Sequence, residues 1–502
     1  MPDVIGVVGA GTMGAGIAQL AAAAGARTLL HDPVPEALER GLALVAEGME
    51  RWREKGRLTQ EAAAVEPAPE LGGLAGAGLV IEAAPERLEL KRELFAALSE
   101  VAPGAVLASN TSSIPITAIA SAAADPGRVV GMHFFNPPPV MRLLEVIAGL
   151  ESAPQALEVA RATGRAMGKR VIDAADVTGF LVNRCNRPFG LEALRLLQER
   201  VADVETIDAV VRSAGFRMGP FELQDLVGID VGYEISLSFY EQSFGEPRWR
   251  PSPLSARMVA AGRFGRKSGR GWYAYPRERP EDPEPTPPAG GDGRIVVVAG
   301  ELTVAHELRE LAAQAGFDVR GRDDTGGEVP WLLVACAADP DASPPHAGPT
   351  ALLCAAGSLH ALDAGRGAVG FHALPPLESA ALVELTRGPG TAPAAAERAE
   401  AFFAALGKRT AWVGDSPGLV LGRIVCQLIN EACFAVGEGV GSREDVDDGM
   451  VLGLNHPRGP FAWGEAIGAG HVLAVLDALH GELGEERYRA TPVLRRYHES
   501  AA

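Results

Sequence analysis

The chain has little that would build a disulfide framework, a metal site or a membrane span. It contains five cysteines in 502 residues, and none lies in a Cys-x-x-Cys pair or beside a cluster of histidines. Cysteines in this number and spacing are typical of small buried side chains in a reducing compartment, so we expect no disulfides and no bound metal. The N-terminus lacks the basic and apolar regions of an export signal, and uncharged apolar runs are too short to cross a bilayer. These absences predict a cytoplasmic protein that does not contact membranes.

Positive charge is also scarce. Lys and Arg total 46 against 64 Asp and Glu, which gives a formal net charge of −18. Nucleic acid and anionic membrane surfaces repel such a chain, so we expect neither as a partner, and an anionic ligand needs a local basic patch. The length exceeds what one hydrophobic core supports, so several domains are expected.

A proline-rich segment divides the chain. Residues 276–293 carry six prolines and a cluster of acids, offer no apolar face to bury, and are typical of an extended linker. Before it, strands alternating with helices over 1–178 predict a Rossmann-like, doubly wound parallel sheet, and purely helical periodicity over 179–275 predicts an all-α domain. After it, the same two patterns return over 294–415 and 416–502.

The two sides of this linker repeat each other. His133 of Val-Gly-Met-His matches His372 of Val-Gly-Phe-His, and later charged pairs keep the same separation of 239 residues: Glu145 and Glu384, Arg184 and Arg423, Glu192 and Glu431, Asp208 and Asp447. A constant offset over unlike residues predicts a tandem duplication. The α/β half of the second copy is shorter. Gly9 and Gly300 are 291 residues apart, whereas the later pairs are 239 apart, so about 52 residues (291 − 239) are missing from the second copy.

A glycine-rich turn follows the first predicted strand. In VIGVVGAGTMGAGIA, Gly9 permits a tight turn, Gly11 lets the backbone approach a pyrophosphate, and Gly14 lets helix and strand pack closely. The helix N-terminus adds amide groups for the phosphates. Asp32, at the end of the next strand, is placed to accept both ribose hydroxyls and to repel a 2′-phosphate. The pattern predicts an NAD site rather than an NADP site.

Polar residues follow the fourth and fifth predicted strands. Ser112 lies in ASNTSSIPI, and His133 and Asn136 lie in VGMHFFNPPPVMRLLEV. Loops after the strands of a doubly wound sheet line the ligand crevice, so these side chains gather on the cofactor side. Histidine suits the removal of a hydroxyl proton near neutral pH, and a carboxylate beside it would stabilise the imidazolium. The spacing alone leaves open whether Glu145 folds back onto His133, and whether His133 is catalytic or structural.

Several motifs of the first copy occur in the order of a known family. Residues 4–275 resemble the short-chain L-3-hydroxyacyl-CoA dehydrogenases in GAGTMG, Asp32, APERLELK, SNTSS, HFFNPPPVMRLLE, TGFLVNR and MGPFELQD. The resemblance implies NAD-dependent oxidation of (3S)-3-hydroxyacyl-CoA to 3-ketoacyl-CoA. With its second copy, the chain resembles longer bacterial members linked to phenylacetate breakdown, which act on 3-hydroxyadipyl-CoA, or to 3-hydroxybutyryl-CoA and fatty acid metabolism.

The resemblance also implies roles for individual residues. His133 is the expected base and Glu145 its partner, while Ser112 and Asn183 hydrogen-bond the reacting end of the substrate. It implies that Glu86, Lys91 and Asn136 lie around the nicotinamide and its ribose, and that Lys267 reaches the cofactor from the helical domain. It also implies that Lys55, in the basic run 50–57, contacts CoA. A solvated helix face is the alternative interpretation of that basic run.

The second copy departs from the family where catalysis needs it. Its first strand is followed by no glycine triad, Asn136 becomes Pro375, and Asn183 becomes Gly422, although His372 and Glu384 remain. We expect a structural relic whose helical domain pairs with the first one inside the chain, as in a dimer, with further homo-oligomers left open. Two other functions compete with the dehydrogenase: a non-catalytic NAD-binding protein on the same fold, and a hydroxyacid dehydrogenase that does not use CoA.

Overall fold

The computed structural model of the chain describes residues 1–58, 61–281, 286–321, 327–339, 348–363 and 365–501. Residues 282–285 of the predicted linker lie outside the described residues. The chain forms two compact units, of which the first contains Met1–Arg184 with Glu438–Leu454, and the second contains Cys185–Gly437 with Asn455–Ala502.

The first unit is built on an eight-stranded sheet. Its strands are β1 Val4–Val8, β2 Arg27–His31, β3 Val65–Pro67, β4 Leu79–Glu82, β5 Val106–Ser109, β6 Val129–Phe134, β7 Leu143–Ala148 and β8 Arg170–Ala175. The order is β3-β2-β1-β4-β5-β6-β7-β8, so the direction of winding changes between β1 and β4. Ligands of such sheets bind at that change, beyond the carboxyl ends of the strands.

The predicted all-parallel sheet is wrong in one respect. β7 pairs antiparallel with β6, and β8 pairs parallel with β7, so the last two strands run opposite to the first six. A short connection can join antiparallel neighbours, whereas a parallel pair needs a crossover of a dozen or more residues. The eight residues between β6 and β7 are too few for a crossover, and they contain three prolines that cannot donate to a ladder.

The second unit contains a seven-stranded sheet with the same plan. Its strands are β9 Ile295–Ala299, β10 Asp318–Arg320, β11 Leu332–Ala335, β12 Thr350–Leu353, β13 Val369–His372, β14 Leu382–Thr386 and β15 Arg409–Trp412. Their order, β10-β9-β11-β12-β13-β14-β15, matches the first sheet without its edge strand β3. β13 and β14 are again the antiparallel pair.

Helices cover both sheets and make up the rest of the chain. Among the described residues they are α1 Thr12–Ala23, α2 Pro35–Glu54, α3 Leu88–Val101, α4 Ile116–Ala120, α5 Pro154–Ala166, α6 Val182–Cys185, α7 Arg187–Gln198, α8 Val204–Ser213, α9 Pro220–Val227, α10 Ile229–Gln242, α11 Pro253–Ala260, α12 Thr303–Gln314, α13 Leu359–Asp363, α14 Pro393–Ala405, α15 Leu421–Gly437, α16 Arg443–Leu454, α17 Pro460–Ile467, α18 Ala469–Leu483 and α19 Pro492–Ala501. Seven of them begin at a proline, whose fixed φ and missing N–H suit the first turn of a helix.

Apolar strands covered by helices form the core of each unit. In the first, Ile5, Val7, Ile81 and Val130 are fully buried and pack with the small side chains of α1. Strands buried on both faces need such continuous apolar runs, which is why the sequence predicts them well. In the described part of the chain, no helix combines the length and the apolar character that a membrane crossing requires.

The described part of the linker is tied to its neighbours. Ala289 N–H donates to Ala405 O at 2.8 Å, Gly291 N–H donates to Ala315 O at 2.8 Å, and Gly293 N–H donates to Gly316 O at 2.9 Å. The second half of this segment is therefore docked along the second α/β region. Composition alone predicts a free, extended linker because it contains no information about these backbone partners.

Candidate active site

The turn between β1 and α1 has two crowded glycines and one open glycine. Gly9 has φ +96°, and a Cβ there would lie 2.6 Å from Ala83 O. A Cβ on Gly14 would lie 1.7 Å from Gly9 O, so both positions exclude any side chain. At Gly11, which precedes the first turn of α1, a Cβ would meet no atom within 4 Å. The turn thus packs tightly against the sheet and leaves the backbone at Gly11 accessible to a ligand.

Asp32 lies directly beside this turn. Its Oδ2 accepts from Ala10 N–H at 2.9 Å, and its Oδ1 accepts from Val34 N–H at 3.0 Å. Each carboxylate oxygen has a second lone pair, so both can still accept a hydroxyl hydrogen. The open glycine, the helix N-terminus and the available carboxylate together fit the pyrophosphate and ribose of a dinucleotide.

His133 and Glu145 are directly opposite each other on the antiparallel strands β6 and β7. Directly opposed residues share a face of the sheet, and here His133 Nδ1 donates to Glu145 Oε2 at 2.6 Å. Glu145 is 0% exposed and His133 is 6% exposed. Because the carboxylate can only accept, the contact holds the ring proton on Nδ1 and leaves Nε2 as the basic nitrogen.

The other oxygen of Glu145 is also bound. Its Oε1 accepts from Leu181 N–H at 3.1 Å and from Val182 N–H at 3.0 Å, at the start of the short helix α6 that carries Asn183. The same carboxylate therefore fixes both the imidazole and the backbone leading to Asn183.

The loop after β5 is organised by Glu86. Its Oε1 accepts from Thr111 Oγ1 at 2.6 Å, from Ser112 N–H at 3.0 Å and from Ser113 N–H at 3.1 Å. Burial raises the pKa of Glu86, but Lys91 at 3.4 Å and these donors outweigh it, so the pKa lies below its usual range. An ionised Glu86 thus fixes the backbone that presents Ser112.

These contacts link four of the predicted residues of the first unit through their loops and strands: Ser112, His133, Glu145 and Asn183. The loop of Ser112 is also joined to the end of β6, because Phe134 N–H donates to Asn110 Oδ1 at 2.8 Å. Asn136 is exposed and precedes Pro137. Lys55 is exposed at the end of α2 and has no acidic partner among the described residues, whereas the nearby Arg51 and Arg53 pair with glutamates of their own helix.

Lys267 belongs to the second unit, where its Nζ pairs with Asp230 at 2.6 Å.

Two residues with positioning contacts were missed by sequence reasoning: Asn110, which joins two strand ends, and Glu82, which is fully buried at the end of β4. The signal for Glu82 is an acidic residue that closes an otherwise apolar run, as Asp32 does after β2. Groups of three or more His, Cys, Asp or Glu able to hold a metal are absent from the described residues.

The region of the second unit with the same strand order differs from the first in these features. By the 291-residue offset, Gly11 and Gly14 correspond to Leu302 and Ala305, so the open position carries a side chain. His372 and Glu384 are again opposite each other on antiparallel strands, but no hydrogen bond between them is found in the described residues. His372 Nε2 instead lies 3.1 Å from His471 Nε2.

Gly422 explains where the ring of His372 has moved. A Cβ at position 422 would lie 2.3 Å from His372 Cε1, so the imidazole occupies space that the counterpart of Asn183 would need. Glu384 keeps only the backbone contacts of its counterpart and accepts from Val420 N–H at 2.6 Å and Leu421 N–H at 3.1 Å.

The glycine turn at the change in winding and the buried His–Glu pair on β6 and β7 of the same sheet are typical of dinucleotide-binding dehydrogenases. Comparison with known proteins then gives the family. The family model "3-hydroxyacyl-CoA dehydrogenase, NAD binding domain" matches residues 4–177, and the model of its C-terminal domain matches residues 179–275 and again 418–502. The chain belongs to the 3-hydroxyacyl-CoA dehydrogenase family.

Individual relatives agree with this assignment. A 3-hydroxyadipyl-CoA dehydrogenase of Escherichia coli is 36% identical over 98% of this chain and 96% of its own length. A crystal structure of 3-hydroxybutyryl-CoA dehydrogenase from Escherichia coli covers 100% of this chain and 99% of its own, with TM-score 0.84 and 35% identity. A (S)-3-hydroxybutyryl-CoA dehydrogenase from Ralstonia eutropha matches 55% of this chain and 100% of its own, with TM-score 0.53 and 36% identity. The expected family, cofactor and enzyme class are confirmed: the chain is an NAD-dependent 3-hydroxyacyl-CoA dehydrogenase.

Proposed function

We propose that His133 is the general base that takes the proton of the substrate's 3-hydroxyl. The observation that carries this assignment is the 2.6 Å contact between His133 Nδ1 and Glu145, which leaves Nε2 free of the ring proton. Glu145 stabilises the imidazolium that forms when Nε2 is protonated. Phe135 and Phe180, with ring centroids 4.7 and 5.9 Å from that of His133, limit the access of water.

Ser112 and Asn183 hold the reacting end of the substrate in this proposal. Each is fixed by a carboxyl group through backbone contacts, Ser112 by Glu86 and the helix of Asn183 by Glu145. Such preorganised donors stabilise the charge that develops on the 3-oxygen as its proton leaves. NAD supplies the hydride acceptor. Gly9, Gly11, Gly14 and Asp32 hold its pyrophosphate and ribose, with Glu86, Lys91, Asn136 and Lys267 as further contacts.

The substrate proposed for this site is a (3S)-3-hydroxyacyl-CoA with a short chain, either 3-hydroxyadipyl-CoA or 3-hydroxybutyryl-CoA. The names of the relatives that span the whole chain support this choice. Lys55 is the proposed contact of the CoA 3′-phosphate, because it is exposed and its charge is not neutralised by a neighbour on its helix. All five cysteines are buried, which fits the reducing cytoplasm in which we place the enzyme.

We further propose that the second copy is a degenerate duplicate. The shared strand order of the two sheets and the two matches of the C-terminal family model support a tandem duplication. Its glycine turn is blocked by Leu302, and its histidine is turned away from Glu384 towards His471. A base in that position serves no oxidation, so this copy acts as a structural partner.

Reciprocal ion pairs support an intramolecular pseudo-dimer of the two helical regions. Arg423 of α15 donates to Glu192 at 2.6 Å and to Glu199 at 2.6 Å, and in the first unit Arg184 pairs with Glu438 at 2.7 Å. By the 239-residue offset, Arg184 corresponds to Arg423 and Glu438 corresponds to Glu199. Each copy's arginine thus pairs with the other copy's glutamate, as a two-fold axis requires.

Helices are exchanged in the same way. α16, from the second copy, lies against β7 and β8 in the first unit, while α8, from the first copy, lies against β14 in the second unit. The proposal also allows whole chains to associate into a homo-oligomer, and it names no surface for that association.

Replacement of the base tests the mechanism. His133→Gln should lower kcat by about two to four orders of magnitude, the usual effect of losing a positioned base, while the dissociation constant of NADH stays within about twofold. A panel of acyl-CoA substrates, followed by NADH absorbance, identifies the chain length. Retention of more than about a tenth of native kcat by His133→Gln would remove the base from this role.

Truncation tests the pseudo-dimer. A chain ending after Tyr275 lacks the partner helices and should expose an apolar face, so it should self-associate or aggregate in sedimentation experiments. A monomeric, soluble and fully active truncated chain would contradict the proposal.

A further inference from the structure

A buried ion pair joins Lys91, one of the proposed cofactor contacts, to Glu82, which has no assigned role. Lys91 Nζ donates to Glu82 Oε1 at 2.6 Å, and the two side chains are 1% and 0% exposed. Both oxygens of the carboxylate are bonded, because Oε1 also accepts from Ala84 N–H at 2.6 Å and Oε2 accepts from Ser109 Oγ at 2.6 Å. Three donors, from Lys91, Ala84 and Ser109, thus converge on one buried carboxylate.

The fold does not require this pair, because the second sheet does without it. In the first sheet Val8, Glu82 and Ser109 are neighbours across β1, β4 and β5. At the same register positions of the second sheet are Ala299, Ala335 and Leu352. Ala335 and Leu352 are buried in an apolar cluster, so the same strand order forms with apolar side chains at these three positions. The charge nearby is a cation, because the Arg309 guanidinium donates to Val298 O and Gly300 O on either side of Ala299.

A buried ion pair is weak evidence for stability, since apolar replacements of similar volume are often neutral or stabilising. The comparison between the sheets therefore points to a role in the site. Lys91 also lies 3.4 Å from Glu86, the residue that fixes the Ser112 loop. Glu82 and Glu86 therefore both lie against the ammonium group of Lys91.

We propose that Glu82 is a positioning residue of the dehydrogenase site. It retains Lys91 in the wall of the site, so that Glu86 stays on the Ser112 loop and does not collapse onto the ammonium. It also leaves the cluster of Glu82, Lys91 and Glu86 with one net negative charge. That charge favours the positively charged nicotinamide of NAD⁺ over the neutral ring of NADH. The inference rests on the cofactor contacts proposed for Glu86 and Lys91.

The test is Glu82→Gln in the full chain, with Glu66→Gln as the matched control. Glu66 pairs with Arg27 at 2.7 Å in the same unit, but both side chains are exposed. Dissociation constants of NAD⁺ and NADH are measured by calorimetry, together with kcat/KM and Tm. In Glu82→Gln the affinity for NAD⁺ should fall relative to that for NADH on the order of tenfold, the effect of one charge in a partly solvated site. The same variant should lose roughly ten- to a hundredfold in kcat/KM, because Ser112 is no longer held. Glu66→Gln should change neither quantity.

A native ratio of the two dissociation constants in a folded Glu82→Gln protein would overturn the proposal, whatever its Tm. If that variant does not fold, the double variant Glu82→Leu with Lys91→Met copies the apolar arrangement of the second sheet. It should fold and lose the preference for NAD⁺. A folded double variant with the native ratio, or failure of both variants to fold, would make the pair structural. Native enzyme that bound neither cofactor would instead contradict the proposed function itself.

Discussion

Glu145 has two separable tasks, which a single substitution can distinguish. Its Oε2 accepts from His133 Nδ1, and its Oε1 accepts from the backbone of Leu181 and Val182. In Glu145→Gln the amide oxygen can still accept from the backbone, but the NH₂ group then faces Nδ1. Because NH₂ only donates, Nδ1 becomes the acceptor and the ring proton moves to Nε2. Nε2 can then no longer take a proton from the substrate.

The expected loss in kcat is about 10²- to 10⁴-fold, which corresponds to ~3–5 kcal/mol of barrier. The assay is NADH absorbance at saturating 3-hydroxybutyryl-CoA and NAD, with KM and Tm measured on the same preparation. KM should change much less than kcat, because the substitution affects proton transfer and leaves the binding groups in place.

The chain supplies its own control in Glu384. This residue has the same backbone task, with Val420 and Leu421 as donors, but no hydrogen bond to His372 in the described part of the chain. Burial raises the pKa of Glu384 to about 8, so it is largely protonated at pH 7 and Gln replaces it with little change. Glu384→Gln should keep kcat within about twofold and Tm within about 4 °C of native. Equal losses of kcat in the two variants, or more than a tenth of native kcat in Glu145→Gln, would refute the reasoning.

Three further predictions concern the cofactor, the second copy and pH. Native enzyme should have a higher kcat/KM with NAD than with NADP, because a 2′-phosphate would lie against Asp32. Asp32→Ala should reduce this difference in kcat/KM, mainly by weakening the binding of NAD. Equal kcat/KM values of the native enzyme for the two cofactors would contradict this prediction. Calorimetry should find one NADH per chain and His372→Ala should leave kcat near native, whereas two equivalent sites would show a second active centre. Burial lowers the pKa of His471 to about 4 from its usual 6.5, so below pH 6.5 the unfolded chain binds more protons than the folded chain. Stability is therefore lost as pH falls through this window, and the contribution of His471 between pH 7 and pH 5 is ~2 kcal/mol. The free energy of unfolding in urea, measured at pH 7 and pH 5, should therefore change by ~2 kcal/mol less in His471→Leu than in the native protein. An equal change in the two proteins would mean that this histidine is not buried in its neutral form.

The parts of the site that depend on short stretches of chain could be predicted from the sequence. Gly9 and Gly14 are required by contacts within one strand–turn–helix, and Asp32 follows directly from the length of β2. The strands β1, β2, β4 and β5 are apolar runs whose burial on both faces leaves a clear pattern in the sequence, whereas the short edge strand β3 is partly exposed and leaves none. The offset that relates His133 to His372 is likewise a property of the sequence alone.

Other features were decided by strand direction and packing between residues far apart in the chain. The 12 residues from His133 to Glu145 do not reveal that β7 turns back antiparallel, which makes the two residues directly opposite partners. The retained His372 and Glu384 read as an intact pair in sequence, but the missing side chain at Gly422 lets the imidazole turn towards His471.

The sequence by itself therefore determined the family motifs, the glycine turn and the order of the elements, since steric limits and periodicity act over a few residues. Only the tertiary structure decided which partner each buried carboxylate meets. The hydrogen bonds from His133 to Glu145 and from Lys91 to Glu82 depend on neighbouring strands and helices that bury both partners together. A charge in the interior is tolerated only when its partner is packed beside it.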